Sequence, residues 1–250
     1  MLASRQAIYE QDARQTFNPV SALTGNASTP STPLGTIAET PGGRVYRWAL
    51  AGATNLAAGK LTTAPATTAN HVTQTGVATV VGDKRVTYTI GATAAAADLY
   101  AQGYFAVNVG PGQNLYKIIS NTAVTSAGGS ITVTLGDDGI DVATTTSSKF
   151  SLYPEPFKST VITTAAATQP CTGVPNVVVT ATYYYWSQVG GIATVLSDGV
   201  IGKNSGALVS ASVNGAAVVE GTSAVTQRIG FAPEATVDTT YLPLVLTLTT

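Results

Sequence analysis

Residues 104–120 read Tyr-Phe-Ala-Val-Asn-Val-Gly-Pro-Gly-Gln-Asn-Leu-Tyr-Lys-Ile-Ile-Ser. Phe105, Val107 and Val109 fall on one side of an extended chain, since neighbouring side chains of a strand point to opposite faces. Tyr116 and Ile118 resume the alternation after a break. The break, Val109-Gly110-Pro111-Gly112-Gln113-Asn114, concentrates residues that enter turn conformations at little cost. A phosphate-cradling loop also follows a strand and is rich in glycine, but it needs a Lys-Ser/Thr pair and a helix start, and neither is present. The stretch therefore predicts strands joined by a hairpin loop.

Outward from this hairpin the chain keeps the same texture. Short β-branched runs alternate and are punctuated by Gly, Asn, Asp and Pro, the pattern of an all-β fold. They predict strands at 45–50, 77–81, 85–90, 104–109, 115–120, 131–135, 161–164, 177–183, 193–196, 208–213, 217–219 and 243–249. Gly82-Asp83 would join the second and third of these. Asn214-Gly215 would supply a type I′ turn with positive φ at both central residues, and Gly136-Asp137-Asp138-Gly139 marks another turn. Ala92–Ala97, leading into Asp98-Leu99-Tyr100, predicts one or two helical turns because Ala is the strongest helix former. The fold class expected is all-β. It comprises a β-sandwich or barrel-like domain over 44–190, a smaller C-terminal β unit over 191–250, and an extended N-terminal arm and linker over 1–43. Pro19, Pro30, Pro33 and Pro41 fall in that linker, whose composition builds no core of its own. No period of tens of residues repeats, which disfavours a solenoid or propeller.

The 250 residues include 12 basic and 13 acidic side chains, a formal net charge of −1, and 10% charged residues. Soluble domains carry about 25%, so the surface is expected to be kept neutral by hydroxyls or covered by neighbours. Thr 40, Ala 37, Val 27 and Gly 25 together make up half the chain, with Thr supplying polarity without charge. Nucleic-acid binding through phosphates needs clustered Lys and Arg, and none cluster here. No apolar run approaches the roughly 20 residues of a membrane-spanning helix. The opening MLASRQAIYEQDARQ places charge where a secretory signal has its apolar region, so synthesis and retention in a cytoplasm are expected.

Residues that titrate or attack are scarce. His71 is the lone imidazole, has no HExxH or GxSxG context, and reads as an ordinary surface or strand histidine. Cys171 forms no metal or redox spacing and cannot make an intrachain disulfide. Asp137, Asp138 and Asp141 could approach a cation, but their spacing fits an Asp-Gly turn better than a calcium loop. Glycoside hydrolysis needs two acids facing one cleft, and nothing pairs any two of Glu39, Glu155, Glu220 and Glu234. The reading is therefore of a non-enzyme with no cofactor and no metal.

Two features point to partners. Tyr183-Tyr184-Tyr185-Trp186 is the densest aromatic cluster, and strand alternation divides it between two faces, Tyr183 and Tyr185 on one, Tyr184 and Trp186 on the other. One face can enter a core, and Tyr184 and Trp186 become candidates for an oligomer interface, where such residues are enriched. A sugar-binding platform is the other use of such a cluster. Trp48, with Tyr46 and Leu50 on its face, reads as core. At the N-terminus Arg5, Glu10, Asp12 and Arg14 crowd around Ile8 and Tyr9, as in a short helix or an ordered arm over 5–15 that lies on a partner.

Several ordered motifs resemble a known class. Gly43-Arg44-Val45-Tyr46-Arg47-Trp48-Ala49, Leu56-Ala57-Ala58-Gly59-Lys60, Gly103-Tyr104-Phe105 and Tyr153-Pro154-Glu155-Pro156 resemble particle proteins of tailed double-stranded DNA bacteriophages. Tyr184-Tyr185-Trp186-Ser187-Gln188 with Gly190-Gly191, Val195 to Asp198-Gly199, Gly202 and Arg228-Ile229-Gly230-Phe231-Ala232 resemble the β unit of their capsid decoration, or cement, proteins. That unit closes with an apolar strand, as Leu242–Leu248 would here. The resemblance spans most of the chain from Arg44 and transfers no catalytic residue. It implies a homotrimer on the outer capsid surface of the virion that clamps major capsid protein subunits. By the same analogy the arm would contact the capsid through Arg5, Tyr9, Arg14 and Phe17. The alternative is a phage fibre, receptor-binding or carbohydrate-binding β module, with an aromatic groove around Tyr183–Trp186.

Overall fold

The computed structural model describes residues 15–16, 26–136, 139–164, 169–221 and 227–248. In chain order its strands are β1 (Gln15–Thr16), β2 (Asn26–Ala27), β3 (Ile37–Glu39), β4 (Val45–Leu50), β5 (Thr62–Thr63), β6 (Gln74–Thr75), β7 (Arg85–Thr89), β8 (Tyr104–Val109) and β9 (Leu115–Asn121). They continue as β10 (Ser130–Leu135), β11 (Lys149–Tyr153), β12 (Val161–Ile162), β13 (Cys171–Pro175), β14 (Tyr184–Ser197), β15 (Gly206–Val209), β16 (Ala216–Val219), β17 (Arg228–Phe231) and β18 (Tyr241–Thr247). The protein is all-β. Among the described residues the one helical piece is a 3₁₀ turn at Ala69–His71, and no helix is long and apolar enough to cross a membrane.

The chain forms two compact units, residues 66–155 and the remainder, 1–65 with 156–250. The first is a six-stranded sheet in the order β6-β11-β8-β9-β10-β7. The hairpin expected at 104–120 is present, with Tyr104 opposite Lys117 and Phe105 opposite Tyr116. Alternation then sends Phe105, Val107, Tyr116, Ile118, Ile131, Val133, Phe150 and Leu152 into one core. At its centre Phe105 and Phe150 meet edge-on at 4.9 Å, and Tyr88 closes on Phe150 at 5.2 Å. Burying each such ring contributes about 1.5–3 kcal/mol, and edge-to-face contact adds roughly 0.5–1.5 kcal/mol per pair.

The second unit is organised by β14, fourteen residues long. Its first half pairs with β4, Trp186 opposite Trp48, and with β13. Its second half pairs with β18, Ile192 opposite Val245, and with β16. Pairings β16–β15, β15–β17 and β17–β18 complete a closed ring of strands back to β14. Leu61, Ala193, Val195, Ile201, Ala207, Val209, Ile229, Leu244 and Leu246 fill a core there. The register shifts between Gln188 and Gly190. Gly191 has φ +75°, and a Cβ there would stand 2.7 Å from the Gly43 carbonyl oxygen, so glycine is required where the strand passes from sheet to ring.

Several expectations are corrected. A boundary at 190/191 falls inside β14; the chain instead leaves this unit after β5 and returns before β12, and those two strands pair antiparallel. Residues 77–81 form no strand: Gly82-Asp83 closes a turn, but β7 pairs with β10, and the backbone of Gly76, Thr79 and Gly82 bonds the loop at 140–148. Residues 177–183 also lie outside the strands, with Val179 bridging Leu56. The 92–97 stretch forms no helix: it bends at 92–93 and Ala95 bridges Val124, with a turn following from Ala97. β15 and β16 do form a hairpin, but its loop runs from Ser210 to Gly215, Asn214 is not among the positive-φ residues, and the Ser210 hydroxyl accepts from the N–H groups of Ser212 and Val213.

Candidate functional site

The shared face of β4 and β14 is aromatic at one end and polar at the other. Tyr184 stacks on Trp48 at 5.9 Å and 8° between planes, and Trp186 meets Trp48 at 4.9 Å. Tyr184 and Trp186 are half-buried, whereas Trp48 is buried. On the opposite face Tyr185 is fully buried, its hydroxyl 2.9 Å from that of Thr160, and Tyr183 packs against the same core. Burial raises the Tyr185 hydroxyl pKa, opposed by its hydrogen bonds. The cluster thus divides between two faces as alternation predicts, Tyr184 and Trp186 packing on Trp48 and Tyr183 and Tyr185 on the opposite core.

Further along this face, beyond Tyr46 and Gln188, lies a pocket of about 540 Å³ lined by Arg44, Gly59, Asn176, Gln188, Thr194 and Tyr241 among others. The Gln188 amide nitrogen donates to the carbonyls of Gly190 and Ile192, at 3.1 and 2.8 Å, which fixes the carboxamide where β14 changes register. Its Oε1 is buried and accepts no hydrogen bond. Asn176 Nδ2 donates to the Tyr46 hydroxyl at 3.3 Å. Glycine clears both sides. At Gly59, φ +73°, a Cβ would stand 2.6 Å from Tyr241 Cδ1, so the Tyr241 ring lies against bare backbone. At Gly191 a Cβ would crowd the Arg44 Cα and Cγ. Among the described residues the Arg44 guanidinium has no carboxylate partner.

The remaining chemical groups are committed to the fold. His71 is buried rather than on the surface. Its Nε2 donates to the Thr93 carbonyl at 2.8 Å, which leaves Nδ1 to accept from the Tyr100 hydroxyl. Cys171 is buried and free, and burial pushes its thiol pKa up to about 12, so the reactive thiolate is suppressed. Glu155 is buried and pairs with Lys117 at 2.9 Å, while the Lys117 ammonium also lies 4.2 Å from the Tyr104 ring centroid. Asp141 accepts from Asn114 at 2.8 Å. Asp137 and Asp138 lie outside the described residues, as do Arg5, Tyr9, Arg14 and Phe17. Among the described residues no cluster of three or more metal-ligating side chains occurs.

The sequence marked none of Arg44, Asn176, Gln188 or Tyr241 as a site residue, although Arg44 and Gln188 fall within the motifs quoted above. These residues come from four distant segments, and only the pairing of β14 with β4, β13 and β18 brings them together. Comparison with protein-family models, curated proteins and solved structures found no match.

Proposed function

We propose that the protein is a structural virion protein, a decoration protein that binds the outer capsid surface of a tailed phage and stabilises the head by bridging major capsid subunits. What carries the reading on the structural side is apolar side chains held outward on well-paired strands. On β9, Leu115 and Ile119 are 55% and 58% exposed, one on each side of Lys117 on the same face. In the other unit Ile192 faces outward opposite Val245, which pairs in turn with Phe231, an apolar stripe across three strands. A contiguous apolar stripe such as this one marks a surface that a neighbour covers, and with 10% charged residues little else keeps such faces apart. The motif resemblance supplies the kind of neighbour, a capsid lattice, and the trimeric form.

The test is the solution mass by light scattering, followed by co-sedimentation with heads stripped of accessory proteins. A trimer that pellets with heads at saturable occupancy supports the proposal. A monomer that stays in the supernatant sinks it. Deleting residues 1–17 should weaken attachment while leaving the strand signature in circular dichroism intact. Unchanged occupancy of the truncated chain would remove the arm from the account.

A further inference from the structure

We infer that the pocket beside β4, β14 and β18 is a binding site for a carboxylate-bearing saccharide, a role beyond capsid attachment; Ile192 of the apolar stripe also lines it, so binding is tested on the chain free of heads. The volume of about 540 Å³ lies within the range of small-molecule sites, and the wall supplies what such a ligand needs. Arg44 provides a cation with a forked set of donors and no internal carboxylate to neutralise it among the described residues, the geometry that recognises a carboxylate. Asn176 and Thr194 offer uncharged partners for hydroxyls. Gln188 adds a carboxamide whose donors are spent on the Gly190 and Ile192 carbonyls, which fixes that part of the wall.

The aromatic wall selects the ligand's other property. Tyr241 is 45% exposed, yet its ring is seated against Gly59 at a position where any Cβ would displace it. A ring fixed on one side and open on the other presents a flat apolar surface with a polar tip, suited to the C–H face of a pyranose. A peptide carboxylate or free acid would use Arg44 alone. The convergence of one cation, neutral hydrogen-bonding groups and a ring favours an acidic sugar over both.

The experiment is a titration of the isotopically labelled full-length chain, followed by NMR, with D-glucuronate, trigalacturonate and N-acetylneuraminate. Lactose, maltotriose and sodium acetate serve as controls. At least one acidic saccharide should shift the resonances of Gly59, Thr194 and Tyr241 saturably, and the neutral sugars and acetate should bind at least about tenfold more weakly. Arg44→Gln should weaken the interaction by about tenfold or more. Because Arg44 is only partly buried, the variant should melt with the parent, which separates lost binding from lost fold. The assignment is overturned by the absence of any pocket shift tighter than about 10 mM, by equal binding of neutral sugars or acetate, or by an Arg44→Gln variant of unchanged affinity. Head co-sedimentation reads none of these outcomes.

Discussion

Gly59 combines a positive φ with a ring laid on its backbone, and the two constraints act together. Gly59→Ala should cost about 1–3 kcal/mol through the left-handed conformation alone, plus whatever is needed to move Tyr241, and urea denaturation would measure it as a lowered midpoint. Cys171 permits a pH argument. A thiol pKa raised from 9.0 to about 12 means that the unfolded chain gives up this proton at a pH where the folded chain still holds it. Stability should therefore be unaffected by this group below pH 9 and fall as pH rises from 9 toward 12. The raised hydroxyls of Tyr46, Tyr100 and Tyr185 act in the same direction. Cys171→Ala should flatten, without abolishing, the alkaline slope in urea melts taken across that range. An unchanged slope would contradict the burial account. At this scale the sequence was partly legible: alternation placed Tyr184 and Trp186 opposite Tyr185. The burial of His71 was hidden, because its partners Tyr100 and Thr93 lie more than twenty residues away.

Alternation located β4, β8, β9 and β10 because each has one buried and one outward face along most of its length. It misled at 77–81 and 177–183 because periodic apolar residues report burial and not strand pairing. Val179 is buried in a loop and touches Leu56 across one isolated bridge. The converse failure is β11, where three successive residues are buried. Ser151 breaks the apolar pattern, yet it is buried because its hydroxyl accepts from the Thr73 N–H and donates to Asn108. The ring of strands makes its own prediction at Gly230, where a Cβ would stand 1.9 Å from the Val245 carbonyl oxygen. Gly230→Ala should separate β17 from β18 and lower stability by about 3 kcal/mol, the upper end of ordinary single-residue effects. Amide exchange should show protection lost first at β17 and β18, and uniform loss across β14 and β15 would argue against a locally closed ring.

Over the whole molecule, the division into an inserted unit and a surrounding one was not legible. The crossing points carry only Pro65 and Pro156 rather than a long Gly/Ser linker, and the pairing of β5 with β12 that closes the insertion involves four residues a hundred positions apart. Since every strand of residues 66–155 pairs within that unit and its core is its own, the excised segment should fold alone, giving a cooperative melt and dispersed amide resonances. A collapsed, poorly dispersed spectrum would show that the surrounding unit is needed. We propose above that this chain stabilises a capsid. The direct measurement is the temperature at which stripped, DNA-filled heads release their DNA, taken as the protein is titrated onto them. The account predicts that the release temperature rises and saturates with occupancy, whereas a release temperature unchanged at any protein concentration would contradict it.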